Sequence, residues 1–102
     1  MRLVISPEAA LRLETQIQYI RDQHAPAAAE HLRDRVLKFL EQHLARFPRA
    51  GRLVEAGDIE LWEMWIPKTQ LVVWYEIGRD AVTIMSVWHA AQNRRTPGLN
   101  ET

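Results

Sequence analysis

The spacing of the apolar residues changes near residue 48, and this change restricts the chain to a fold that combines helices with a sheet. Before it, apolar residues recur at intervals of three and four, the period of a helix with one buried face. After it, they recur at every second position in short segments, the period of β-strands. Pro48 and Gly51 lie between the two regions and end the helical pattern. The two periods together predict an α+β domain.

Two helices are predicted before this point. Ser6 is a good N-cap and Pro7 suits the first position of the first helix, which ends near residue 24 because Pro26 disfavours helical geometry just before it. Pro26 then opens a second helix. The apolar stripes comprise Ala10, Leu13, Ile17 and Ile20 in the first helix and Ala29, Leu32, Val36, Leu40, Leu44 and Phe47 in the second. So short a break predicts an antiparallel helical hairpin.

Five strands are predicted around this hairpin, one before it and four after it. They span residues 3–5, 52–55, 59–66, 71–77 and 81–88. The last two are apolar on both faces, so we expect them at the centre of the sheet. The expected order is β-α-α-β-β-β-β, with the hairpin packed on one face of a curved antiparallel sheet. Residues 1–95 are expected to form a single domain and residues 96–102 a flexible C-terminal tail.

Composition argues against several classes of function. The 102 residues include 13 basic and 13 acidic side chains, so a broad basic surface for nucleic acid is not expected. There is no cysteine, and the four histidines show no metal-ligand spacing, so we expect no metal and no cofactor. No apolar run approaches the ~20 residues of a membrane span, and the start has no signal-peptide pattern. We therefore expect a cytoplasmic protein that does not bind membranes.

The four tryptophans leave two interpretations open. The hairpin can cover only one face of the sheet, yet Trp62 and Trp65 fall on opposite faces of one predicted strand. Either a partner covers the tryptophan surface that the helices do not reach, or the rings fill a small core.

Several segments resemble the ParE branch of the RelE/ParE toxin superfamily of type II toxin–antitoxin modules. FPRAGR at residues 47–52 contains the P-x-x-G-R pattern that joins the second helix to the sheet in that family. LWEMWIPKT at residues 61–69 resembles the family's strand and turn. LVVWYEI at residues 71–77 and VTIMSVWHAAQNR at residues 82–94 resemble its closing hairpin and the H-A-x-x pattern that follows its last strand. The resemblance covers about residues 3–95.

The resemblance implies a small cytoplasmic toxin that is held harmless by a cognate antitoxin. ParE-like members inhibit DNA gyrase and trap it on cleaved DNA, whereas RelE-like members cleave messenger RNA in the ribosomal A site. RNA cleavage needs cations for the charge that develops on phosphate, but residues 59–88 contain only Lys68 and Arg79. Trp62-Glu63 stands where many relatives have Arg-Glu, and Glu76 stands where many have Arg. The sequence therefore favours a gyrase inhibitor, which is not itself a catalyst.

The residues after the last predicted strand are the expected contacts with the target. The resemblance implicates the C-terminal segment in toxicity, which suggests as target-binding residues His89, Gln92, Asn93, Arg94 and Arg95. If the chain is instead a ribosome-dependent ribonuclease, its candidate catalytic residues are His89, Lys68 and Arg94. His89 has a simpler interpretation too, in which it caps the strand end. A third hypothesis is a non-toxic relative that only binds its antitoxin.

Antitoxin binding is expected at apolar residues outside the core stripes. The antitoxins of such toxins wrap around the helical hairpin and the sheet, through helix docking and addition at a sheet edge. The candidate antitoxin-binding residues are Leu11, Tyr19, Phe39, Leu53 and Trp65. The alternative is that the sheet covers a wider arc of the helices and buries them.

Overall fold

The computed structural model describes residues 1–23 and 26–90, which form two helices packed on a mixed five-stranded sheet. The helices are α1 (Pro7–Gln23) and α2 (Pro26–Phe39), and α2 continues into a π-helical turn (Leu40–Leu44) before a 3₁₀ turn (Pro48–Ala50). The strands are β1 (Arg2–Ile5), β2 (Arg52–Glu55), β3 (Leu61–Trp65), β4 (Leu71–Ile77) and β5 (Ala81–His89). Their order across the sheet is β1-β5-β4-β3-β2.

The α+β class and the element order are confirmed, and β4 and β5 lie inside the sheet as their apolar faces predicted. One strand pairing differs from the expected antiparallel sheet, because β1 runs parallel to β5, with Leu3 opposite Val82 and Ile5 opposite Ile84. Two helices separate β1 from the other strands. A connection of that length lets a strand join the sheet in either direction, whereas the short turns after β2 impose antiparallel pairing.

The second helix changes its winding where one continuous helix was predicted. The amide of Ala45 donates to the carbonyl of Leu40 at 2.9 Å, a bond that spans five residues rather than four. The wider turn leaves Leu40 and Leu44 both buried in the core. Apolar spacing alone cannot distinguish such a turn from an α-helix, because both place these leucines on one face.

Side chains at the helix start and between the helices fix the hairpin. The Ser6 hydroxyl accepts a hydrogen bond from the Ala9 amide at 3.0 Å, which confirms the predicted N-cap. Arg33 of α2 pairs with Glu14 of α1 at 2.6 Å. Arg21 of α1 reaches Glu30 of α2 at 2.9 Å. Both pairs bridge the two helices at the surface, where such pairs contribute little beside the packing of the core.

The core lies between the hairpin and one face of the sheet. Its fully buried members include Ile17, Val36 and Leu44 from the helical side and Val73, Tyr75 and Ile84 from the strands. The opposite face of the sheet, which no helix of the described residues covers, and the cavities at the helix–sheet boundary remain as candidate sites.

Candidate functional site

The side of the sheet that no helix of the described residues covers carries aromatic and acidic side chains. Met64, Val73 and Val87 belong to the core, so the residues that alternate with them point away from the helices. We call these residues the outer face: Leu61, Glu63, Trp65, Val72, Trp74, Glu76, Thr83, Ser86 and Trp88. No lysine or arginine occurs within β3, β4 or β5.

The structure divides the tryptophans between the two interpretations. Trp62 packs against the core on the helical side. Trp88 is buried on the outer face, with its ring in edge contact with Trp74 at a centroid distance of 5.3 Å. Trp65 is 55% exposed. Three rings therefore pack within the domain, and Trp65 is the one that presents a large apolar surface for a partner.

Glu63 is a buried carboxylate at the centre of the outer face, with only 4% of its surface exposed. Arg52 of β2 donates to one of its oxygens at 2.7 Å, and the indole N–H of Trp74 donates to the other at 3.0 Å. Arg52 thus supplies a cation to this carboxylate from the neighbouring strand. Position 62, where the resemblance leads one to expect arginine, is a tryptophan. The positive charge of Arg52 is therefore already compensated by the Glu63 carboxylate.

The P-x-x-G-R segment is built into the same region and has a structural role. The Tyr75 hydroxyl donates to the carbonyl of Pro48 at 2.6 Å. A Cβ atom on Gly51 would lie 2.5 Å from the Glu63 carbonyl oxygen and would collide with the Tyr75 hydroxyl. Only glycine therefore fits at position 51 without displacing its neighbours. Arg52, the next residue of the segment, pairs with Glu63.

The buried Tyr75 hydroxyl makes the stability of the fold sensitive to high pH. Burial raises the pKa of Tyr75 to about 12 from its ordinary value of 10. Above pH 10 the unfolded chain loses this proton first, so the folded state is stabilised below pH 10 and loses that advantage as the pH rises towards 12. At pH 11 this loss amounts to about 1.4 kcal/mol.

Urea unfolding at pH 8 and pH 11 tests this expectation with two variants. Between the two pH values, the free energy of unfolding of Tyr75→Phe should fall by about 1.4 kcal/mol less than that of the parent chain. Tyr19→Phe is the matched control, because Tyr19 is 57% exposed, and it should follow the parent. Equal losses in the parent and in Tyr75→Phe would contradict the assignment.

Two of the candidate catalytic residues line one cavity on the helical side of the sheet. Lys68 and His89 line one cavity of about 370 Å³ between the helices, the β3–β4 turn and the end of β5. His31 and Arg35 line it as well. These two residues were not predicted as site residues, although their spacing of four residues on α2 places them on a shared face. The other predicted target-binding residues, Gln92, Asn93, Arg94 and Arg95, lie outside the described residues.

The predicted antitoxin-binding residues are dispersed over the surface. Leu11 is 68% exposed and, with Tyr19, lies on α1, whereas Leu53 is 42% exposed on β2. Trp65 is on the outer face. Phe39 is half-buried against the core, and its ring stacks on His43 at 5.0 Å. These residues therefore do not form one continuous apolar patch.

Two kinds of feature are absent from the described residues, a metal site and a membrane-spanning helix. No group of three or more histidine, aspartate or glutamate side chains there is arranged to hold a metal ion. In the same part of the chain, no helix has the length and apolarity needed to cross a bilayer.

Comparison with known proteins gives a family match and a fold match. The family model for the ParE toxin of the type II toxin–antitoxin system, parDE, matches residues 3–94. A solved chromosomal ParDE toxin–antitoxin system from P. aeruginosa superposes with a TM-score of 0.73, covering 87% of this chain and 95% of that chain at 9% sequence identity. At that identity the likeness shows the fold. No curated protein sequence matches significantly.

Proposed function

The chain belongs to the ParE toxin family of type II toxin–antitoxin systems, and on this basis we propose that it poisons DNA gyrase and is neutralised by a cognate antitoxin. In this role the chain binds and inhibits an enzyme and catalyses no reaction itself. Neutralisation requires that the antitoxin bind the folded toxin. The exposed apolar side chains of Leu11, Tyr19 and Trp65 provide surface for such a partner.

The chemistry of the outer face is the observation that carries the choice of target. Cleavage of RNA requires cations placed where negative charge develops on phosphate. Here β3, β4 and β5 contribute no lysine or arginine, and Glu76 adds negative charge to the face. The adjacent Arg52 is paired with Glu63. This face is poorly suited to a phosphate transition state, which supports a toxin that acts by binding.

A ribosome-dependent ribonuclease is the second candidate, because Lys68 and His89 line the same cavity. These two residues, with Arg94, are the groups that such chemistry would use. The third hypothesis is that the chain binds its antitoxin and is not toxic.

An induction experiment in bacterial cells distinguishes the three. The full chain is expressed without antitoxin, and plasmid topology and labelled methionine incorporation are followed in the same culture. A gyrase poison should produce relaxed and cleaved plasmid before protein synthesis falls. An early fall in synthesis with unchanged plasmid topology would contradict gyrase poisoning and indicate a ribonuclease. Normal growth with folded chain present would indicate the non-toxic relative.

Replacing His89 with alanine separates binding from chemistry in the same cells. If His89 only contacts a target, we expect toxic potency to fall by less than about 10-fold, the effect of one contact at the edge of an interface. If it serves as a general acid or base, the loss should exceed about 100-fold. Circular dichroism of the purified variant checks that it remains folded.

A further inference from the structure

The cavity on the helical side of the sheet brings together basic side chains from three separate elements. Its volume of about 370 Å³ lies in the range of small-molecule sites. The basic groups that line it are His31 and Arg35 from α2, Lys68 from the β3–β4 turn and His89 at the end of β5. None of the described residues that line it is aspartate or glutamate. Because basic and acidic residues are equal in number in the chain, this local excess of positive charge is not a general property of its surface.

The two permanent positive charges of the cavity have no counter-charge within the described residues. Neither Arg35 nor Lys68 forms an ion pair there, whereas the other three arginines of the two helices, Arg12, Arg21 and Arg33, each pair with a glutamate. Arg35 and Lys68 come from different elements and line the same space. An anion bound between them would supply the missing counter-charge.

The deeper part of the cavity is apolar. Leu71 is buried, and Ile20 and Leu32 pack against the core, whereas Arg35 and Lys68 are exposed. Charge therefore lies at the mouth of the cavity and apolar surface lies below it. This arrangement suits an organic anion, which has a charged group and an apolar body, better than a bare inorganic ion.

The backbone of Lys68 gives independent support for a role of its side chain. Lys68 has a φ of 64°, in the left-handed region that glycine and asparagine adopt at low cost but lysine does not. The turn closes through Thr69, whose amide and hydroxyl both donate to the Ile66 carbonyl, and it does not need a long side chain at position 68. A strained residue beside a cavity points to a function for its side chain.

We propose that this cavity binds a small phosphate monoester, with the phosphate against Arg35 and Lys68 and the organic part on the apolar surface below. A phosphate monoester carries nearly two negative charges at pH 7 and offers three strong acceptor oxygens, which match two cations placed on separate elements. A carboxylate carries a single charge and would leave one of the two cations without a counter-charge. The inference adds a ligand site on the helical side of the sheet, and it does not depend on gyrase or on the antitoxin.

Calorimetric titration of the purified full chain with three probes tests the class of ligand. Phenyl phosphate has both an apolar ring and a phosphate, inorganic phosphate lacks the ring, and benzoate has the ring with a single charge. We expect phenyl phosphate to bind at least about 10-fold more tightly than inorganic phosphate, because its ring is removed from water. It should exceed benzoate by a similar factor, because it engages both cations. Its affinity should fall as the salt concentration rises.

Two variants test the placement of the phosphate. Lys68→Gly should melt close to the temperature of the parent, because glycine adopts this φ without strain, and yet bind phenyl phosphate about 10-fold more weakly. Arg35→Gln should also weaken binding about 10-fold.

Arg79→Gln is the matched control. Arg79 is also a basic residue on a hairpin turn, but it follows β4 and therefore lies at the opposite end of that strand from Lys68. The control should bind phenyl phosphate as the parent does.

Four results would overturn the inference and leave the proposed function standing. The first is no binding of phenyl phosphate at millimolar concentration, and the second is equal binding by the parent and both cavity variants. The third is benzoate that binds as tightly as phenyl phosphate, which would assign the cavity to carboxylates. The fourth uses a short RNA without a terminal phosphate. If it binds more tightly than phenyl phosphate and loses affinity in both variants, the cavity would belong to a nucleic acid backbone.

Discussion

Replacing Gly51 with alanine is expected to lower the free energy of unfolding by about 3 kcal/mol, the upper part of the range for overpacking. The added methyl group would lie 2.5 Å from the Glu63 carbonyl oxygen and would overlap the Tyr75 hydroxyl. The carbonyl belongs to β3 and cannot move without disturbing its pairing with β2, in which Arg52 is opposite Glu63. Tyr75 is fully buried and held by Pro48, so it has no free space to enter.

Urea unfolding of Gly51→Ala at pH 7 measures this effect, and two further variants define its cause. Gly78→Ala is the matched control, because a methyl group there would approach the Ala81 carbonyl only to 3.3 Å and should cost much less. Tyr75→Phe removes the hydroxyl that obstructs residue 51. The double variant Gly51→Ala/Tyr75→Phe should therefore be more stable than the sum of the two single effects predicts. An unfolding midpoint of Gly51→Ala equal to that of the parent would refute the argument.

The second large effect is expected for Arg52→Met, which should destabilise the fold by about 3 kcal/mol. The change removes the arginine from the buried Glu63 carboxylate and keeps the hydrogen bond from the Trp74 indole. A buried charge that loses its counter-charge keeps its desolvation cost and loses the compensating attraction. The expected loss is at the lower end of the range for broken buried pairs, because the Arg52 side chain is 65% exposed and water can reach the vacated space.

The double variant Arg52→Met/Glu63→Gln distinguishes this charge effect from lost packing. Glutamine keeps an oxygen that can accept from the Trp74 indole but carries no charge, so the double variant should regain most of the stability lost in Arg52→Met. Arg12→Met removes an exposed pair with Glu8 and should change stability by no more than about 0.5 kcal/mol. If the double variant were as unstable as Arg52→Met, the loss of the arginine charge beside Glu63 would not be the cause.

The amino-acid pattern predicted the architecture because most of it depends on local spacing. The change of period near residue 48 placed the helices and strands, and the apolar faces of residues 71–77 and 81–88 placed both strands inside the sheet. The parallel pairing of β1 with β5 and the π-helical turn at Leu40–Leu44 could not be predicted in this way. Both depend on how distant segments pack, and apolar spacing does not record that.

The candidate sites depend even more on distant contacts. The P-x-x-G-R segment was recognised as a family pattern, but its role appears only when Tyr75 reaches Pro48 and Glu63 receives Arg52 from the neighbouring strand. The sequence predicts Lys68 and His89, with Arg94, as the catalytic residues of the ribonuclease alternative. The cavity that Lys68 and His89 share with Arg35 depends on how α2 packs against the sheet, which the sequence pattern does not specify.

The most direct test of the proposed function uses purified gyrase, plasmid and ATP with the antitoxin-free chain. The reaction is stopped with detergent and protease, and supercoiled, relaxed and linear plasmid are separated on a gel. We expect supercoiling to be lost and linear plasmid to accumulate as the chain is added, and both effects to disappear when the cognate antitoxin is mixed in first. Unchanged supercoiling and no linear plasmid, with the chain shown to be folded, would contradict the assignment of gyrase as the target.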